Sequence, residues 1–140
     1  MNVLMVSALP FLLTACQSTP VKEDALYVQL GQNEGIKKLV EDFINELLID
    51  KRIQHHFEEA ELDRFHDKLV EQICELAGGP CKYSGKAMKK LHSDFEINEA
   101  QFNALVEALM LSMDNNKISV GAQNQLLALL VPMRKDIVND

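Results

Sequence analysis

Ile36, Leu39, Val40, Phe43, Ile44, Leu47 and Leu48 recur at helical spacing, and nowhere does the chain alternate apolar and polar residues with a period of two. The spacing predicts an amphipathic helix through about residue 50, with Asn33 as its N-cap just after the Gly31 break. Leu62, Phe65, Leu69, Ile73 and Leu76 form a second stripe, closed by Gly78-Gly79-Pro80. Asn98 with Gln101 has the form of a capping box, and Phe102, Leu105, Val106, Leu109, Met110 and Met113 continue it as a third helix. A fourth, from near Ser119, carries Leu126, Leu127, Leu130, Met133 and Ile137, with a kink or loosening at Pro132. The expected fold class is therefore all-α, with an irregular segment from about residue 78 to 97 between two helix pairs.

The N-terminal end follows a different pattern. Val3 to Ala15 is almost continuously apolar, too short to span a bilayer but of the length of a signal-peptide core. It runs into Leu13-Thr14-Ala15-Cys16 and resembles a bacterial lipoprotein signal, although no Lys or Arg precedes Lys22. The resemblance implies lipidation at Cys16 and a protein anchored by lipid in the bacterial cell envelope, facing the periplasm or extracytoplasmic side. The expected organisation is a signal over 1–16, a polar tether over 17–23 and one folded domain over 24–140.

Composition narrows the function. A formal net charge of −7 with no basic run gives no footing for non-specific binding to nucleic acid or an anionic membrane surface. Tryptophan is absent and the tyrosines are Tyr27 and Tyr83, so Phe, Leu and Met must build any core or cofactor cage. Cys74 and Cys81 read as two small apolar fillers or as a disulfide, with Gly78 and Gly79 turning the chain back. There is no phosphate loop, dinucleotide glycine fingerprint or Cys-x-x-Cys pair.

The chemistry concentrates in GGPCKYSGKAMKKLHSDFEI, where a glycine-rich break delivers His92 into apolar surroundings, as a buried metal or haem ligand requires. Met88, one helical turn earlier, and Leu91 can pack on the same cofactor face, with Phe95 and Ile97 beyond. His55 and His56 are adjacent, diverge by about 100° on a helix, and read as surface residues.

With these residues the chain resembles the group I truncated haemoglobins, small globins with a two-over-two helical sandwich around haem. The resemblance runs from about Leu26 to Val138 and takes in Leu26-Tyr27, Glu34-Gly35-Ile36, Val40-Glu41-Asp42-Phe43, Phe57, Gly78-Gly79-Pro80, Tyr83, Gly85, Met88, His92, Ile97, Phe102 and Val131-Pro132. It implies that His92 is the proximal iron ligand and that Phe57 packs on the haem. Phe65, Leu69, Met88, Leu91, Ile97 and Phe102 would complete much of the cage. Without Cys-x-x-Cys-His the cofactor would be haem b. The implied function is reversible binding of a diatomic gas, oxygen or nitric oxide, served by an unknown reductase.

Two departures bear on activity. Ile44 stands where the family commonly has a distal tyrosine, and Phe65 and Leu69 occupy distal positions that often include a glutamine. The distal side is expected to be apolar, which weakens a nitric-oxide dioxygenase activity. Lys68 lies where some members supply a sixth ligand, and His66 is two residues before it. The alternative function is therefore a six-coordinate redox or electron-transfer haem protein with Lys68 or His66 as distal ligand. Against it, Lys68 can pair with a haem propionate or reach solvent. A third reading is a haem-free helical interaction module.

Overall fold

The computed structural model describes residues 25–139; the signal, Cys16 and the tether lie outside the described residues. Among the described residues seven α-helices follow one another: α1 (Leu26–Gln29), α2 (Gln32–Ile49), α3 (Leu62–Leu76), α4 (Met88–Leu91), α5 (Glu99–Asn115), α6 (Val120–Leu130) and α7 (Arg134–Ile137), with 3₁₀ turns at Gln54–His56 and Val131–Met133. No strand occurs among the described residues. Helix α2 packs on both α3 and α5, α3 also meets α6, α1 lies against α2 and α6, and α4 meets α7.

Helix α2 is the hub because its stripe is buried along most of its length. Ile36, Leu39, Val40 and Leu47 are fully buried, and Ile73, Met113 and Leu126 come in from the neighbouring helices. Each such side chain contributes about 1.5–3 kcal/mol relative to exposure. The stripe is narrower than the sequence pattern implies: Leu48 and Met110 are exposed at the edges of their helices.

Two boundaries differ from expectation. Helix α2 is entered through Gly31, not Asn33: Gly31 has φ +81° and no side-chain cap closes the turn. Gly35 presses against the Leu30 carbonyl so tightly that a Cβ would collide with it. The tight αL turn therefore starts the helix before a side-chain cap at Asn33 can act. Pro132 ends α6 outright, since its missing N–H forces a 3₁₀ turn before α7 resumes.

The other ends match their residues. Asn98 and Gln101 exchange both bonds of the capping box at 3.0 and 3.1 Å, and the Ser119 hydroxyl caps α6. Helix α3 ends in a Schellman motif, with Gly79 N–H donating to the Cys74 carbonyl (2.8 Å) and Gly78 N–H to that of Glu75 (3.1 Å). Gly78 takes φ +81° there.

Candidate functional site

The Schellman turn aims the chain back along α3, and three ties hold it there. Cys74 and Cys81 form a disulfide with Cα atoms 5.7 Å apart, which decides between the two sequence readings of this pair. Gly79 lies under Tyr27 and the Cys74 sulfur, where a Cβ would stand 2.6 and 2.7 Å away. Tyr27 N–H also donates to the Ala77 carbonyl at 3.1 Å, so α1 covers the turn.

The next residues are held by carboxylates one helical turn apart on α3. Glu75 accepts from Tyr83 N–H (3.0 Å) and Lys82 Nζ (3.1 Å). Glu71 accepts from Ser84 N–H (3.0 Å), Ser84 Oγ (2.8 Å) and Lys68 Nζ (2.8 Å). Lys68 first, then the two Ser84 donors, hold the Glu71 carboxyl down at about 2. The Tyr83 backbone amide and Lys82 likewise lower Glu75. The Tyr83 hydroxyl donates to the Lys86 carbonyl at 2.7 Å, folding over Gly85 where no Cβ would fit.

This loop ends in the single turn of α4, whose C-cap is His92. His92 Nδ1 lies 2.9 Å from the Met88 carbonyl. A carbonyl only accepts, so Nδ1 carries the proton and Nε2 keeps its lone pair. That is the tautomer a metal ligand needs, with its orienting partner in place.

His92 borders two adjoining chambers, of about 390 and 270 Å³, which also share Phe65, Lys68, Leu91 and Phe102. Joined, the two fall in the range of cofactor pockets, about 300–1,000 Å³. The first takes in Phe57 and Ile97, the second Leu69 and Met88. All nine residues expected to contact the cofactor thus line one chamber or both. Phe57 and Phe65 pair with ring centroids 5.5 Å apart. Phe43, Ile73 and Leu109 extend the apolar wall of the second chamber. Ile44 is buried in the core and lines neither chamber.

The two residues of the six-coordinate alternative are placed differently from one another. His66 lines neither chamber; its Nε2 lies 3.3 Å from the Lys37 carbonyl, because its place on α3 turns it toward α2. It is not placed to be a distal ligand. Lys68 does border both chambers, but its ammonium is held by Glu71 and, at 2.6 Å, by Ser84 Oγ. A paired, protonated amine has no lone pair for a metal.

Other residues were not anticipated. His56 lines the first chamber and is not a surface residue, since its Nε2 is buried. Arg64, Lys86 and Glu61 border the same chamber, Arg64 paired with Glu61 at 3.6 Å. Arg64 was legible as the residue one turn before Lys68. Gln72 lines the second chamber, its amide directed at the sulfurs of Met88 (3.6 Å) and Met133 (3.4 Å).

Among the described residues no three His, Cys, Asp or Glu side chains converge to hold a metal ion. One imidazole on an apolar slot bordered by Arg64 and Lys86 instead suits a flat apolar group that brings its own equatorial metal ligands and carries anionic substituents.

The comparisons agree with this geometry. A group 1 truncated hemoglobin of Tetrahymena pyriformis is 26% identical over 117 residues, 84% of this chain and 97% of that protein. The crystal structure of a truncated hemoglobin from T. pyriformis in its Fe(III) form superposes with a TM-score of 0.78 at 25% identity, over 82% of this chain and 98% of that one. A 2/2 hemoglobin of a Synechococcus species, solved in the cyanomet state with covalently attached heme, gives 0.77 at 22% identity over 83% and 99%, a likeness of fold. The model of the family described as bacterial-like globin matches residues 25–139. The chain belongs to the bacterial-like globin family, and its homologues include group 1 truncated haemoglobins.

Proposed function

We propose that the protein holds haem b in the joined chambers with His92 Nε2 as iron ligand, and reversibly binds a diatomic gas, oxygen or nitric oxide, on the opposite face. The observation that carries this is the His92 ring: Nδ1–H donates to the Met88 carbonyl at 2.9 Å, which leaves Nε2 as the ligand atom of a ring beside both chambers. Bound haem supplies a ferrous iron with one position open to a small molecule.

The chain's residues do the rest. Phe57, Phe65, Leu69, Leu91, Ile97 and Phe102 exclude water from the ring faces. Arg64 and Lys86 are the cations available to haem carboxylates at the mouth. The polar side chains of the second chamber already have partners: Lys68 has Glu71 and Ser84, and Gln72 has two thioethers. With Ile44 in the core and the Tyr83 hydroxyl donated to the Lys86 carbonyl, no partnerless side-chain donor lines the second chamber among the described residues, which favours reversible binding over dioxygenase turnover. The held ammonium of Lys68 also argues against the six-coordinate alternative.

The test is the ferrous absorption spectrum with and without carbon monoxide. A five-coordinate spectrum that shifts rapidly on adding carbon monoxide, and stays five-coordinate in Lys68→Met, is expected. Undiminished haem binding by His92→Ala would remove the ligand assignment. We further propose the envelope location from the apolar 3–15 run before Cys16, with which the Cys74–Cys81 disulfide is compatible. Membrane fractionation of wild type against Cys16→Ser tests it; identical soluble behaviour of the two would refute it.

A further inference from the structure

Asn139, 47 positions from His92 in sequence, reaches the turn on which that histidine sits. Its side-chain Nδ2 donates to the His92 carbonyl at 3.2 Å and also to the Phe95 carbonyl. Its backbone N–H donates to the Ile97 carbonyl at 3.0 Å. One residue thus serves three carbonyls of the stretch from His92 to Ile97. That stretch lies between helices: α4 has ended at its C-cap, His92, and α5 starts only at Glu99. Carbonyls at and past a helix end lack intrahelical partners, and an amide with two N–H groups suits them.

The base from which Asn139 reaches is itself fixed. Val138 N–H donates to the Arg134 carbonyl at 2.9 Å and closes α7. Arg134 pairs with Glu99 at the start of α5, and α7 packs on α4. Ile137, two residues before Asn139, lines both chambers.

These bonds bear on the imidazole in two ways. The Met88 carbonyl holds Nδ1 alone, and a ring tied at one nitrogen can still rock about that bond. The Asn139 bond to the His92 carbonyl fixes the backbone from which the ring hangs. The bond to the Phe95 carbonyl fixes the residue whose ring stands 6.4 Å from the imidazole and limits its swing. We propose that Asn139 is a positioning residue for the iron ligand, latching the 92–97 stretch so that His92 Nε2 is held in one direction. The inference rests on the haem reading.

The experiment compares the full chain of wild type with Asn139→Asp and Asn139→Ala. The aspartate keeps the shape of the side chain but only accepts, so it cannot serve the carbonyls. Both variants keep the backbone bond to Ile97, which leaves the stretch docked. Resonance Raman of the ferrous haem-loaded protein reads the iron–histidine stretch, which depends on the orientation of the ring. The band should shift and broaden in both variants. Haem loss to excess apomyoglobin should quicken about three- to tenfold, as the loss of two hydrogen bonds at an exposed residue predicts. A wild-type band in both variants would overturn the proposal, even with faster haem loss, because Asn139 would then only pack the stretch. A band altered in Asn139→Ala but not in Asn139→Asp would overturn it too, since shape and not donation would then matter. Should wild type bind no haem, the haem reading falls and the haem-free protein decides the latch. Nitrogen NMR should there show the Nδ1–H tautomer of His92 weakened in both variants, and an unchanged tautomer would overturn the proposal.

Discussion

Breaking the Cys74–Cys81 cross-link should destabilise the domain by an amount its loop length sets. The two cysteines are seven positions apart, so the closed loop holds about eight residues. The chain-entropy relation then gives roughly 8 cal/mol/K, or about 2.5 kcal/mol near room temperature. Cys81→Ala is the better probe, because Cys81 is partly exposed while Cys74 is fully buried, so truncation leaves little cavity. Urea unfolding, followed by circular dichroism at one fixed excess of haem, keeps ligand linkage constant across samples. With a slope of roughly 1–3 kcal/mol/M, the midpoint should fall by about 1–2 M. Wild type reduced with a phosphine should unfold with Cys81→Ala, since both lack the same constraint. Haem loss should change little, because Glu75 and Glu71 grip Tyr83 and Ser84 between the disulfide and His92. Agreement of oxidised wild type with both uncross-linked forms to within about 0.5 kcal/mol would refute the argument, for the Schellman turn and Tyr27 would then fix the loop unaided.

The Glu71 carboxyl is held at about 2, below its ordinary 4.5. Its contribution is therefore complete above pH 4.5 and lost as pH falls from there toward 2. Acid titration of haem retention should show this loss in wild type and a flatter profile in Glu71→Gln. Gly79→Ala would put a Cβ 2.6 Å from the Tyr27 ring, and the overpacking should cost about 1–3 kcal/mol in urea unfolding; a neutral result would mean that α1 moves aside freely. Asn98→Ala removes the side-chain half of the capping box, the Gln101 N–H bond to Asn98 Oδ1, and should cost about 1 kcal/mol by the same assay, whereas Asn98→Asp should keep most of it.

The helices were legible because they are built from periodic burial. The stripes from Ile36 to Leu47 and from Phe65 to Ile73 follow the face that meets the core. The Asn98 cap and the Gly78 stop were equally readable, because each is a local solution to unpaired backbone groups at a helix end. His92 could be singled out because a glycine-rich break precedes it. His56 could not: reading it on an α-helix next to His55 sends the two rings to different sides of a surface. The chain forms a 3₁₀ turn there instead, one residue before Phe57, and tertiary packing against Phe95 buries the ring edge. The fate of Lys68 was also beyond sequence, because Ser84, one of its partners, is sixteen positions away across the glycine turn.

One helix carries both sides of the site, and this gives the disulfide and the carboxylates a meaning beyond stability. Phe65, Leu69 and Gln72 form one strip of α3 and border the chambers, while Lys68, Glu71 and Glu75 form the adjacent strip and hold the loop that carries His92. Helix α3 is itself pinned against α2 and α6. The distance between the His92 face and the Phe65–Leu69 face is thus fixed through one rigid element, not through the flexible-looking loop that joins them in sequence. The fixing also explains why Lys68 stays out of the pocket: to swing inward it would have to abandon Glu71 and Ser84 and loosen the loop that carries His92. A pocket left clear of the Lys68 ammonium and a firmly held His92 are, on this geometry, two consequences of the same three side chains.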